Sequence, residues 1–306
     1  MSTAASTAQT VVAKKSRPQW MDVWREFRKN LGAVVGMIVF IAIVLLVTIG
    51  PMIYRVDPAK PDYKARSAGP SIQHPLGTDN LGRDLLAANL IGGRTSLAVG
   101  LTAMLISIAL GTVIGLLAGY FRWLDGPLMR ITDMFLSLPL LPLLLVIIML
   151  FRDTLRSAFG PETGIFILIV VAIGLTSWMQ TARVVRGDVL AVKEREFVTA
   201  ATALGSKNQR LLFLHILPNV LSPILVSATL GMASAIITES ALSFLGLGFP
   251  PDFPTWGRIL FDGKDFISLT PLRVIWPGTL ISLVVLSVNF MGNGLRDALD
   301  PRVRGR

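Results

Sequence analysis

The chain has 306 residues, 52% of them hydrophobic and 16% charged, with a mean hydropathy of +0.63, a balance that excludes an ordinary soluble domain and indicates a membrane protein. Its formal net charge of +10 does not indicate a nucleic-acid binder, because the basic residues are scattered between apolar stretches with no aromatic and basic patch to read bases. There is no cysteine, so disulfides, thiolate metal sites and thiol nucleophiles are excluded, and the two histidines, His74 and His215, lie outside the apolar runs.

The first apolar run starts at Leu31, after a Ser/Thr/Ala-rich tail over 1–30. It continues into "GPMIYRVDPAK" with no small-residue cleavage site, which reads as an uncleaved membrane helix. Runs long enough to cross about 30 Å of hydrocarbon fall near 31–53, 95–120, 131–151, 163–181, 220–243 and 273–293. The expected fold class is therefore an all-α polytopic membrane protein with six transmembrane helices in one membrane domain, 31–306. Six crossings leave both ends on one side, whose segments carry 18 lysines and arginines against 11 on the other. By the excess of positive charge on the inner side, both termini are expected to be cytoplasmic.

Between the first two spans, "GTDNLGRDLLAANLIGGR" predicts an amphipathic helix with Leu81, Leu85 and Ala88 on one face, Thr78 or Asp79 as cap, and Asp84 exposed. In the second span, Gly111, Gly115 and Gly119 stand four residues apart and bare one helix face for close packing. Pro139 and Pro142 in the third span remove two helix donors within one turn and predict a kink or local opening. The fifth span repeats Ser227, Gly231 and Ala235 at four-residue spacing and adds Ser234 and Glu239, which suits a bundle interior or a solute path. Glu239 lies either inside the bundle, paired or facing water, or at the outer interface just past the helix end. The segment "GFPPDFPTWG" before the last span offers Trp256 as an interface anchor.

No span carries H-E-x-x-H, and the one Gly-Lys pair, Gly263-Lys264, is followed by Asp265 instead of the Ser/Thr of a phosphate loop. The chain is not expected to be an enzyme or to hold a metal or cofactor. A stand-alone secondary transporter, the alternative reading, would need ionisable groups at mid-membrane, and the spans offer little besides Glu239 and Asp133.

The polar passage "EFVTAATALGSKNQRLLFLHILPN", 196–219, interrupts the apolar pattern. Phe197, Ala200, Ala201 and Leu204 recur at helical spacing as a narrow, mostly small stripe. Gly205 then stops the helix in a left-handed cap, and "SKNQ" predicts a capping box from Ser206 to Gln209 for a second helix ending at Pro218. Such a foot suits a groove on a partner protein or, alternatively, the lipid interface.

This passage resembles the cytoplasmic loop of permease subunits of ATP-binding-cassette importers, E-A-A, three residues, Gly, then Leu-Pro: here Ala200-Ala201, Gly205 and Leu217-Pro218. The family's glutamate is Thr199 here, with Glu196 the nearest acid. "HPLGTDNLGRDLL", "GGRTSL", "ALSFLGLG", "PTWG" and "GNGLRDALDP" further resemble the dipeptide/oligopeptide/nickel branch, most closely the C-type permease of a peptide importer. The resemblance implies the type I importer transmembrane fold, with a family core over 95–293 and a coupling loop over 182–219. It implies that Glu196, Phe197, Ala200, Ala201, Leu204 and Gly205 contact a cytoplasmic ATPase. It also implies a second homologous permease subunit, two ATPase subunits that carry ATP and Mg, an extracytoplasmic solute-binding protein and a bacterial inner membrane location; the segments 74–94 and 248–257 either dock that binding protein or plug the outer end of the bundle. Peptides are the expected solute, with nickel complexes, glutathione and opines as the branch's alternatives.

Overall fold

The computed structural model describes residues 19–299, and all regular secondary structure among them is helical apart from one isolated bridge between Thr78 and Asp84. The first 18 residues of the expected 1–30 tail and the last seven of the expected 31–306 membrane domain lie outside the described residues. Helix α1 (Gln19–Lys29) turns Val23 and Phe27 onto Ala33, Met37 and Leu295, so the second half of the expected tail is docked against the bundle. Helix α2 (Leu31–Ile53) begins at Asn30, whose Oδ1 accepts the Ala33 amide at 3.1 Å.

Helix α3 (Leu85–Tyr120) starts earlier than the apolar run suggests, because Asp84 caps it and accepts the Ala87 amide at 2.8 Å. No separate outer helix forms over 77–94. Asp84, expected to be exposed, is 2% exposed. Asp79 does not cap a helix; it closes a turn by accepting the amides of Leu81 and Arg83.

The expected third span, 131–151, is two helices, α4 (Arg122–Ser137) and α5 (Leu140–Phe159), which meet at 88°. Leu138 precedes a proline and is extended, as the clash with the Pro139 ring demands. Pro142 falls in the first turn of α5, where amide donors have no helical acceptor to lose. One proline breaks the span and the other starts a helix. Asp133 and Asp125 of α4 are tied to Arg183 and Arg186 of α6 (Pro161–Lys193), the first at 2.5 Å. Among the described residues five single helices are long and apolar enough to cross a membrane, and the bent pair makes up to six.

Helix α6 is the centre of the bundle: 67% of its most apolar window is buried, against 33% or less in the other four. It owes this to α3. A Cβ on Gly111 would lie 2.6 Å from Thr181 Cβ, one on Gly115 2.7 Å from the Ala182 carbonyl, and one on Gly119 2.7 Å from Val189 Cβ. All three glycines face α6 and allow near backbone contact. The chain then makes α7 (Glu196–Ala203), α8 (Asn208–Arg210), a six-residue π-helical segment Leu211–Ile216, α9 (Leu217–Phe244), α10 (Trp256–Gly263) and α11 (Leu272–Leu299).

Gly115→Val is expected to lower the thermal midpoint of the detergent-solubilised chain by several degrees, since an overpacked interior site costs about 1–3 kcal/mol. Gly187→Ala, where an added Cβ meets nothing within 4 Å, should leave the midpoint unchanged or raise it. Equal effects of the two substitutions would show that the seam is not close-packed.

Candidate functional site

The segment after α6 is anchored before it turns outward. Lys193 donates from Nζ to the Tyr120 carbonyl at 2.8 Å, and the Tyr120 hydroxyl donates to Asn208 Oδ1 at 2.9 Å, so the end of α3 holds both sides of α7. Val198 is buried at 3% exposure in a cluster with Val192, Leu211 and Ile216, and Ala201 packs beside it. The opposite side of α7 is bare: Glu196, Phe197 and Ala200 are exposed, and Leu204 is 88% exposed. The six residues expected at a partner contact therefore fall on one short helix and its cap, but Ala201 faces the chain's own bundle. Sequence reasoning missed Val198, the actual anchor; the signal was a second apolar stripe, Val198 with Ala201, at three-residue spacing.

Gly205 has φ +79°. The Gly205 amide donates to the Thr202 carbonyl at 2.9 Å and the Ser206 amide to the Ala201 carbonyl at 3.1 Å, the paired bonds of a Schellman cap. The expected capping box is not formed: Lys207 is the N-cap of α8 and makes no side-chain cap bond. Nor does the chain turn at Pro218. The Leu217 amide reaches back to the Leu212 carbonyl, a π-type bond that absorbs the proline ring, and one continuous run, Asn208–Phe244, is long and apolar enough to cross a membrane.

On α9 the four polar or small positions do not converge. Ser227 and Gly231 are half-buried and Ser234 is exposed, whereas Glu239 is 0% exposed and the helix runs past it to Phe244. Ser96 Oγ donates to Glu239 Oε2 at 3.1 Å and Ser243 Oγ to Oε1 at 2.8 Å. Ser96 Oγ also accepts the Trp256 amide at 3.2 Å, and Trp256 Nε1 donates to the Asn89 carbonyl at 3.0 Å. Trp256, expected as an interface anchor, is fully buried against Gly93 of α3.

Around this cluster the outer segments are laced together. The Tyr54 hydroxyl donates to Asp84 Oδ2 at 2.7 Å, and His74 Nδ1 lies 2.8 Å from the same oxygen. Burial first, then the Asp84 carboxylate, hold the Tyr54 phenol well above its usual range, so it stays a donor. Arg83 Nη2 lies 3.5 Å from Asp252, and Arg273 donates to Asn80 Oδ1 at 2.9 Å. Residues 54–84 thus form a folded cover at the end of the bundle opposite α7.

Residues 111–305 match the family described as binding-protein-dependent transport system inner membrane component. The chain belongs to this family. Residues 18–70 of the permease match the N-terminal TM domain of oligopeptide transport permease C. The permease is 39% identical to the dipeptide transport system permease protein DppC of Alkalihalophilus pseudofirmus, over 93% of this chain and 90% of that one. It is 37% identical to the oligopeptide transport system permease protein OppC of Bacillus subtilis, over 96% and 93%. Its fold is similar to that in inward-facing structures of the MetNI methionine ABC transporter, with a TM-score of 0.54 at 18% identity over 68% of this chain and 94% of that one. The permease is thus a multi-pass inner-membrane component of an ATP-binding-cassette importer, and its family implies ATPase and solute-binding partners.

Glu239→Leu removes the acceptor shared by Ser96 and Ser243, and stranding buried donors costs about 1–3 kcal/mol. The thermal midpoint of the permease should fall by several degrees in this variant and by less in Glu239→Gln, which keeps one acceptor oxygen. An unchanged midpoint in the leucine variant would show that the carboxylate does not hold the cluster.

Proposed function

We propose that this permease carries peptides inward, pairing with a second homologous permease so that the two subunits form the translocation path between them. Both termini and α7 lie on the cytoplasmic side, where the excess of lysine and arginine falls. Two cytoplasmic ATPase subunits carry the ATP and Mg, and a solute-binding protein delivers peptides to the face built by 54–84 and 249–257. Support for the substrate comes from the dipeptide and oligopeptide relatives, and support for the coupling role from one observation above all: a short helix bare on one side, anchored by Val198 and closed by a left-handed glycine.

In this reading Phe197 and Leu204 enter a cleft on the ATPase, and the small side chain of Ala200 between them permits close approach. Val198 and Ala201 pass displacement of the foot to the Val192, Leu211 and Ile216 cluster, and so to α6 and α9. Helix α6, with 33 residues, is a rod about 50 Å long at 1.5 Å per residue, long enough to carry that displacement across the bilayer. Nucleotide biases the bundle only through contacts that differ between the inward-open and outward-open states.

Reconstituted in vesicles by itself, the chain should accumulate no peptide; accumulation without nucleotide or companion subunits would overturn the reading. Within the assembled transporter, substitutions at Gly205 should follow backbone preference, because an added Cβ there meets nothing within 4 Å and the left-handed conformation alone costs about 1–2 kcal/mol. Gly205→Asn should keep most peptide uptake, Gly205→Ala should lose part of it, and Gly205→Val should lose uptake and peptide-stimulated ATP hydrolysis while inserting normally in the membrane. Normal uptake by Gly205→Val would remove the coupling role.

A further inference from the structure

The foot is bracketed by two residues, Lys193 and Asn208, and both bind one residue of a third helix, Tyr120 at the end of α3. Lys193 Nζ donates to the Tyr120 carbonyl at 2.8 Å and stands 5.4 Å from the centre of its ring, and the Tyr120 hydroxyl donates to Asn208 Oδ1 at 2.9 Å. The ring itself packs against the cluster that buries Val198. These attachments differ in what they ask of the side chain. The carbonyl that receives Lys193 belongs to the main chain, so any residue at 120 would offer it, and a phenylalanine ring would fill the same space. Only the hydroxyl calls for tyrosine, and its acceptor lies 88 residues further on, past the foot.

We infer that Tyr120 is a positioning residue that passes displacement of α7 to α3, with its hydroxyl bond to Asn208 as the link. The inference rests on the coupling role proposed for α7. Apolar contact such as that of Val198 is non-directional, so one surface can slide on the other, whereas a hydrogen bond fixes both distance and angle. Movement of the segment 194–207 as a unit therefore carries the end of α3 with it or breaks the bond. Helix α3 has 36 residues and no proline, which makes it about 54 Å long at 1.5 Å per residue. Its far end is capped by Asp84 in the outer cover, and its Ser96 donates to Glu239. One unbroken helix thus joins the foot to the cover, separately from the route through α6 and α9.

The test uses the assembled transporter in vesicles and measures peptide taken up per ATP hydrolysed. Tyr120→Phe deletes the hydroxyl alone, and Asn208→Leu deletes its acceptor. Each should lower the ratio about threefold or more, the weight of one hydrogen bond in a conformational equilibrium, with the thermal midpoint unchanged. Asn208→Asp, which keeps an acceptor oxygen, should keep the ratio. Tyr120→Phe and Asn208→Leu combined should do no more than either alone, because both remove the same bond. A ratio unchanged in Tyr120→Phe, losses that multiply in the double variant, or a loss matched by a fall in the midpoint would overturn the role of Tyr120. Gly205→Val separates this inference from the reading beneath it. If Gly205→Val loses uptake while Tyr120→Phe keeps its ratio, the foot stands and the link to α3 fails; if Gly205→Val transports normally, the coupling role fails and the link with it.

Discussion

Near contact between the backbones of α3 and α6 is the constraint from which the other features take their positions. Within a bilayer apolar side chains gain little by leaving lipid for one another, so spans adhere where their backbones come close enough for dense van der Waals contact. Gly111, Gly115 and Gly119 each lack the atom that would keep α6 away. With that seam closed, α6 becomes the buried axis on which α4, α5 and α9 pack. The two ends of α3 are then placed as well: Tyr120 reaches Lys193 and Asn208 at one end, and Asp84, Asn89 and Ser96 gather the outer segments at the other.

The all-α membrane class was legible because hydropathy over some twenty residues is a local property. That three glycines share a face is likewise a matter of spacing; which helix they meet is not. Proline was legible in part: the bend expected at Pro139 and Pro142 is present as the 88° turn between α4 and α5, whereas the turn expected at Pro218 does not form, because a proline's effect depends on where the helix around it begins. Pro139 breaks a span, Pro142 occupies a first turn, and Pro218 is absorbed by a π-type bond, yet the three look alike as letters. The start of α3 was missed for a related reason: Asp84 can cap from a buried position only because Tyr54 and His74, remote in sequence, satisfy its other oxygen. Gln209 could not complete the expected capping box with Ser206, because the Ser206 amide already donates to Ala201 and closes α7.

The cluster around Glu239 shows how a carboxylate is accommodated inside such a bundle. Among the described residues it has no cationic partner; its oxygens accept hydroxyl hydrogens from Ser96 and Ser243, each on a span that also contributes apolar surface to the core. Because Ser96 Oγ also accepts the Trp256 amide, the carboxylate orders the start of α10 and, through it, the loop whose Asp252 meets Arg83. A single buried polar centre thereby links the start of α3 to the segment before α10, which Phe249 and Trp256 also seat in the core.

The foot at the other end follows a different logic. Its own bundle holds it by one buried valine and a half-buried alanine, enough to orient α7 but leaving Phe197 and Leu204 exposed to water. Exposed apolar side chains on a short helix between spans are stable in water only with a partner or at a solvation cost. The two helices that receive this foot are unequal. Within α6 no proline follows the first turn, and most of its apolar window is buried. The run into α9 carries a π-type segment and two prolines, Pro218 and Pro223, each of which removes an intrahelical donor; Asn219 Nδ2 donates back to the His215 carbonyl at 2.7 Å within that stretch. In the proposed coupling role, a load applied at α7 meets an unbroken helix on one side and a helix with missing bonds on the other, the helix whose far end carries Glu239.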